Sequence, residues 1–284
     1  MYRLGDNINS IAHNMVNSGR GIETGFSRLD SMILGLSPAE FIIIAARPSM
    51  GKSSLLLQIA WNIDVPAVIV SLEMSKQLIG ERLISQVSGL GMHRLKSKKI
   101  TDREKGVARA ALEKISRRKI YVMDEVRLDK EFFLEKFGEE FGEEFGDVRP
   151  VLFIDYLQLL HLDFRMSGER EVSLISSRLK RLAIDLNIPI VAASQLNREV
   201  EKRESRVPCL SDLRGSGTLE QDADVVMLLH RPGYYSIEED EDDDEAYLYV
   251  AKNRSGPVGK VELKWNRETM SFREVSHGYR DFGE

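Results

Sequence analysis

Six short apolar runs constrain the fold more than any other feature of this chain. They read FIIIAA to Ala46, AVIVSLE to Glu73, KIYVMDE with Asp124, VLFIDY with Asp155, IPIVAASQ with Gln195, and DVVMLLHR at 224–231. Each is rich in apolar residues, stops at a polar one, and is set off from the next by helical sequence. Strands that are apolar at every position are buried on both faces, which is the condition of a parallel sheet covered by helices. In such sheets ligands sit beyond the carboxyl ends of the strands, where the polar residues fall here. The segment AYLYVAKNRSGPVGKVELKWN, 246–266, alternates instead and turns at Ser-Gly-Pro, so it predicts a terminal β-hairpin. The fold class is α/β: a mostly parallel twisted sheet flanked by helices, with a C-terminal hairpin.

The first run leads into AARPSMGKSSLLLQIA, 45–60. A strand, a loop holding Gly51, Lys52 and Ser53, and a following helix are the parts of a phosphate-binding loop. Backbone N–H groups at 48–53 would wrap a β-phosphate, Lys52 would neutralise the β- and γ-phosphates, and the Ser53 hydroxyl would ligate Mg²⁺. The expected nucleotide-binding set is Arg47, Pro48, Ser49, Met50, Gly51, Lys52, Ser53 and Ser54. The ligand expected there is ATP or another nucleoside triphosphate. Ala46 stands where such loops usually carry their first glycine; its methyl group is small, and Pro48 pre-sets its own φ.

The other strand ends supply the remaining chemistry. Asp155 is placed to hold the water shell of Mg²⁺ beside Ser53. Glu73 is placed to take a proton from an attacking water, and Asp124 competes with it for that role. The Gln195 amide is placed to donate to a γ-phosphate or to the water and to report hydrolysis to the segment that follows. Lys252 and Arg254 fall on alternate residues of the hairpin, so they point to one side, and two cations near the phosphates would stabilise transition-state charge. If they come from a neighbouring subunit, hydrolysis requires assembly.

The segment REVEKRESRVPCLSDLRGSG, 198–217, is long for a loop, which points to function. Its basic residues are Arg198, Lys202, Arg203, Arg206 and Arg214, and it holds no Phe, Tyr or Trp on which bases would stack. Arg214 and the backbone N–H groups of Gly215 and Gly217 would grip phosphates, a contact that is independent of base sequence and sensitive to salt.

Bulk properties exclude some classes. No apolar run approaches the roughly 20 residues of a membrane span, and the N-terminus MYRLGDNINS lacks the apolar core of a signal peptide. The single cysteine, Cys209, leaves no internal disulfide and fits a reducing cytoplasm. A net charge of −5 argues against nucleic acid until it is localised: EEDEDDDE at 238–245 holds eight of the 45 acidic residues, and the remaining 37 face 40 basic ones. That run predicts a solvated loop. Residues 1–20 carry Ile8, Ile11, Met15 and Val16 at helical spacing and predict a short amphipathic helix ahead of the main domain, 21–284. In FGEEFGEEFG, 137–146, Phe137, Phe141 and Phe145 predict a surface helix with one aromatic face.

Together these residues resemble the RecA-like ATPase domain of the DnaB-type replicative helicases. The likeness runs from about residue 21 to 275, through TGFSRLD (24–30), AARPSMGKS (45–53), SLEM (71–74), IDYLQLL (154–160), SQLNREVEKR (194–203), SDLRGSGTLEQDAD (211–224) and KNRSGPVG (252–259). The family tolerates alanine at the first loop position. The resemblance implies a homohexameric ring that hydrolyses nucleoside triphosphate at subunit interfaces and moves 5′→3′ on single-stranded DNA. By position, Glu73 resembles the catalytic base and Gln195 the γ-phosphate sensor. Lys252 and Arg254 resemble the cations supplied in trans. Arg214, Gly215 and Gly217, with Arg203 nearby, resemble the central DNA loop. Residues 1–20 resemble the linker helix that docks on the next subunit. The implied setting is a bacterial cytoplasm or a phage-infected cell, with primase and a helicase loader as further partners. The chain departs from the family in lacking the N-terminal helical domain, as a truncated or short phage-like form would. Position 215 is Gly where many relatives have Glu, and the acidic run resembles an insertion.

Two rival readings stand beside this one. A RecA- or KaiC-like ATPase in recombination or regulation would share the loop, Glu73 and Asp155, but DLRGSGTLEQDAD fits helicases better. A passive single-strand binder would need neither a complete hydrolysis set nor a loop without aromatics.

Overall fold

A computed structural model describes residues 21–97, 99–125, 127–141, 149–160, 168–213, 215–235 and 244–275. The helix expected over 1–20, most of the acidic run and Arg214 lie outside the described residues. All six apolar runs form strands: β1 (Phe41–Ala46), β2 (Ala67–Ser71), β3 (Ile120–Met123), β4 (Val151–Asp155), β5 (Ile190–Gln195) and β6 (Val225–His230). They pair in parallel in the order β3-β2-β4-β5-β1-β6. The hairpin follows as β7 (Glu245–Asn253) and β8 (Gly259–Asn266), antiparallel at the β6 edge. A ninth strand, β9 (Ser271–Glu274), extends the hairpin beyond what the alternation predicts.

Apart from the half-buried edge strand β3, the parallel strands are buried at nearly every position because each faces a hydrophobic layer on both sides. Along β1, Ile42, Ile44 and Ala46 belong to one core, and Phe41, Ile43 and Ala45 to the other. The first core lies under α1 (Ser27–Ile33), α2 (Lys52–Asn62) and α3 (Lys76–Ser88), and includes Trp265 and Phe272 of the hairpin extension. Beyond α3 come α4 (Met92–Ser97) and α5 (Asp102–Ser116), the latter opened by a capping box between Thr101 and Glu104.

The second core lies under α6 (Lys130–Phe141) and α7 (Glu169–Leu186). The aromatic helix therefore begins before the Phe-Gly repeat, and Phe132, Phe133 and Phe137 are core residues. Residues 142–148 lie outside the described part. The stretch read as one long loop is more ordered than its composition suggests. It contains short 3-10 turns at Arg198–Lys202 and Leu210–Asp212, then α8 (Ser216–Asp222).

Candidate active site

The carboxyl ends of the parallel strands open on a cavity of about 370 Å³, bounded by Arg47, Pro48, Ser49, Gly51, Lys52, Ser53, Ser54, Glu73, Arg82, Tyr156, Gln195, Trp265 and Met270. Its floor is the turn between β1 and α2. Ala46 is still a strand residue, paired with Gln195 on β5 and 1% exposed, so no glycine is needed there. The left-handed backbone falls later, at Ser49 (φ 64°) and Gly51 (φ 95°). A Cβ on Gly51 would also lie 2.8 Å from the Phe272 ring, so this glycine is required for both conformation and space. The Met50 side chain is buried in the core and does not bound the cavity, which leaves its backbone N–H as the group expected to meet a phosphate.

Lys52 rests over the Tyr156 ring, 4.4 Å from its centre. Burial lowers its pKa, and the charges of Asp155 and Glu73 act in the opposite sense. Arg82, on α3, is in the same condition: burial works against its charge, the same two carboxylates favour it, and its Nε has no hydrogen-bond partner among the described residues. Asp155 ends β4 and is 1% exposed, with neither carboxylate oxygen hydrogen-bonded among the described residues. Buried charges left in this state are costly unless a ligand completes them.

Glu73 lies two residues past β2, in a turn braced by the Ser71 hydroxyl, which donates to the Met74 carbonyl at 2.9 Å and accepts from the Met74 N–H at 3.2 Å. Asp124 is exposed, bonds Lys76 at 3.0 Å, and does not border the cavity; the neighbouring ammonium holds its carboxyl below the usual range. Gln195 is set by Gln158, whose amide donates to the Ser194 hydroxyl at 3.0 Å and whose carbonyl accepts the Gln195 N–H at 3.3 Å. The cavity wall is pinned by Gln58, bonded to the Phe272 carbonyl at 2.6 Å and its N–H at 2.7 Å. Gln86 bonds the Ser54 and Met270 carbonyls at 3.1 and 2.7 Å.

Lys252 and Arg254 lie elsewhere. They converge, as the hairpin spacing predicts, but on the C-terminal end of α8. The Lys252 ammonium donates to the Glu220 and Ala223 carbonyls at 2.5 and 2.6 Å. Arg254 donates to the Gln221 carbonyl and lies 3.3 Å from Asp224. Neither borders this chain's own cavity. Gly215 sits at the opposite end of α8 with φ 83°, close against Val172, which explains glycine at that position; Gly217 is exposed in the first turn. Arg203 is committed within the loop, paired with Asp212 and bonded to Cys209 Sγ at 2.8 Å.

Sequence reasoning missed Arg82, Tyr156, Trp265 and Met270. Tyr156 was adjacent to a chosen residue, and the alternation in β8 places Trp265 inward beside Val261 and Leu263. Arg82 and Met270 carry no local signal.

Comparison with known proteins agrees with this geometry. A family model described as the DnaB-like helicase C terminal domain matches residues 21–274. The chain is 36% identical over 291 aligned positions to the replicative DNA helicase DnaC of Bacillus subtilis (strain 168), covering 98% of this chain and 62% of that protein. It thus spans about three fifths of the length of that curated relative. Over 273 positions it is 37% identical to the replicative DNA helicase DnaB of Geobacillus stearothermophilus, covering 94% of this chain and 59% of that protein. A DnaB-like replicative helicase, solved in work on its interactions with primase, gives a TM-score of 0.87 at 33% identity, covering 95% of this chain and 68% of that one. A second solved structure, an isolated ATPase domain, superposes with a TM-score of 0.88 at 33% identity, covering 97% and 100%. The chain belongs to the DnaB-like helicase C-terminal domain family, and its sheet and phosphate-binding loop are those of a RecA-like NTPase core.

Proposed function

We propose that this chain is the motor domain of a replicative helicase: a homohexamer that hydrolyses ATP or another nucleoside triphosphate at its subunit interfaces and moves 5′→3′ on single-stranded DNA. One observation carries the reading. The cavity gathers Lys52, Ser53, Glu73 and Gln195, with Asp155 buried behind its wall, near enough for its charge to act on Lys52 and without a hydrogen-bond partner among the described residues, while Lys252 and Arg254 stand outside it. A site built this way binds a triphosphate within one chain and takes its last cations from the next.

In this reading Lys52 holds the β- and γ-phosphates, and Arg82 adds positive charge to the cavity wall. Glu73 takes the proton from the attacking water, the role for which Asp124 is badly placed. Gln195, fixed by Gln158, contacts the γ-phosphate. Lys252 and Arg254 leave the end of α8 to meet the phosphates of the neighbouring subunit.

The residues fit a magnesium ion. Among the described residues no cluster of three or more His, Cys, Asp or Glu could hold a metal unaided. One orphaned carboxylate plus the Ser53 hydroxyl suits an ion that keeps its waters and shares the phosphates. When bound, that ion would neutralise charge developing on the β- and γ-phosphate oxygens.

Arg214, Gly215 and Gly217, with Arg203 bracing the loop behind them, are proposed to contact the DNA backbone. The amphipathic segment 1–20 is proposed to dock on the next subunit. Primase and a loader are proposed partners, and the cytoplasm the place of action. Among the described residues no helix is long and apolar enough to cross a membrane.

Strand displacement on a 5′-tailed fork with triphosphate and Mg²⁺ tests the function. Duplex should separate with the tail on the 5′ side only. Steady hydrolysis without displacement on either fork would overturn the helicase assignment and favour the recombination or regulatory ATPase.

A further inference from the structure

The phosphate-binding loop is tied to the segment after Gln195 by one nearly buried guanidinium. Arg47, the first residue past β1, borders the cavity with its side chain 10% exposed. Its Nε donates to Glu201 Oε1 at 2.7 Å, and its Nη1 donates to the Leu196 carbonyl at 2.8 Å. Glu201 lies in the turn Arg198–Lys202.

That turn belongs to a loop closed on itself. Leu196 bridges to Leu213, the Asn197 N–H donates to the Asp212 carbonyl at 2.8 Å, and Arg203 pairs with Asp212. The closed loop leads directly into Gly215 and α8. Glu201 thus belongs to a unit that ends at the proposed DNA-contacting residues.

We propose that Arg47 is a hand-off switch: it holds Glu201 while the cavity is empty and turns to the phosphates when a triphosphate enters, releasing the 196–213 loop. The competition is electrostatic. A charge-assisted bond to one carboxylate meets several phosphate charges arriving in the cavity that Arg47 already borders, and the larger local charge wins the guanidinium. Nucleotide occupancy thereby changes the DNA loop through Glu201, which acts as a positioning residue. This inference rests on the function proposed above.

Linkage sets the test, because a coupling between two ligands acts equally on both affinities. Single-stranded DNA affinity is measured with and without a non-hydrolysable triphosphate analogue and Mg²⁺, for wild type, Glu201→Gln and Glu199→Gln. Glu199 sits in the same turn but bonds Lys202 at 2.7 Å. Wild type should show a difference of about 5- to 150-fold, the usual range of such couplings. Glu201→Gln without nucleotide should already bind DNA as nucleotide-loaded wild type does, and its analogue affinity in the absence of DNA should rise. Glu199→Gln should behave as wild type.

Thermal melting confirms that both variants are folded. Glu201→Gln retaining the wild-type difference overturns the switch and leaves the proposed function standing. Equal loss in both variants also overturns it, by assigning the effect to the integrity of the turn. A wild-type protein that binds no DNA overturns the proposed function, and the switch with it.

Discussion

The cavity at the strand ends and the junction where the start of β6 meets the end of β7 each concentrate charge, but they treat it in opposite ways. In the cavity wall Arg82 has an unbonded Nε, and Asp155, buried beside that wall, has two unbonded oxygens among the described residues. At the junction the charges have partners within the chain. Asp224 accepts the Phe41 N–H at 2.8 Å, pairs with Lys180 at 2.6 Å and lies 3.3 Å from Arg254, and Lys252 caps α8. Buried charge without a partner is a cost carried for a ligand. Charge with partners is part of the fold, and it reaches a second site only by exchanging them. The proposed nucleotide half of the machinery thus stands with its charges uncompleted, whereas the cations proposed to act in trans are held in reserve.

The largest effect expected is at the reserved cations. Arg254→Ala should slow hydrolysis by about 10³-fold or more, as loss of an arginine finger does, with nucleotide affinity of the isolated subunit unchanged by equilibrium titration. A matching loss of affinity would erase the distinction between the two regions. Next is Lys52→Ala, expected to lower the hydrolysis rate about 10²- to 10³-fold. Its melting temperature without nucleotide should not fall, since burial already disfavours the Lys52 charge.

Asp224→Asn should do the reverse. It removes a charge that has partners and should cost about 3 kcal/mol in denaturant unfolding, because Lys180 is left half-buried without its carboxylate. Smallest is a pH effect at His230, which ends β6 between Tyr235 and Tyr249. Burial lowers its pKa below 6.5, so the unfolded chain takes up the proton first, and stability from this residue is present above that pH and lost as pH falls below it. His230→Gln should flatten the decline in melting temperature between about pH 7 and 5.

The sheet was legible because burial on both faces leaves unbroken apolar runs, and a polar stop marks each strand's ligand end. Lys52, Ser53, Asp155 and Gln195 were legible for the same reason: they sit at or just past those stops. Glu73 reads as the last residue of its strand and lies instead in the turn two residues beyond β2, where it still borders the cavity. The far wall was not legible. Trp265 and Met270 reach the cavity only because β8 and β9 fold back onto α2, a contact separated by some two hundred residues of chain. Arg82 reads as an ordinary helix cation until α3 is packed beside Asp155. The four-residue β9 was too short for alternation to register, and its anchor to Gln58 is purely tertiary.

The central claim is that the empty-handed charges of one subunit are completed by the reserved cations of another. Lys52→Ala and Arg254→Ala proteins, each nearly inactive alone, should be mixed under conditions in which native mass measurement shows shared rings. The account predicts that hydrolysis reappears, because a hybrid seam joins the intact loop of one variant to the intact Arg254 of the other. Shared rings that remain inactive, or isolated subunits that hydrolyse at the full rate, would contradict it.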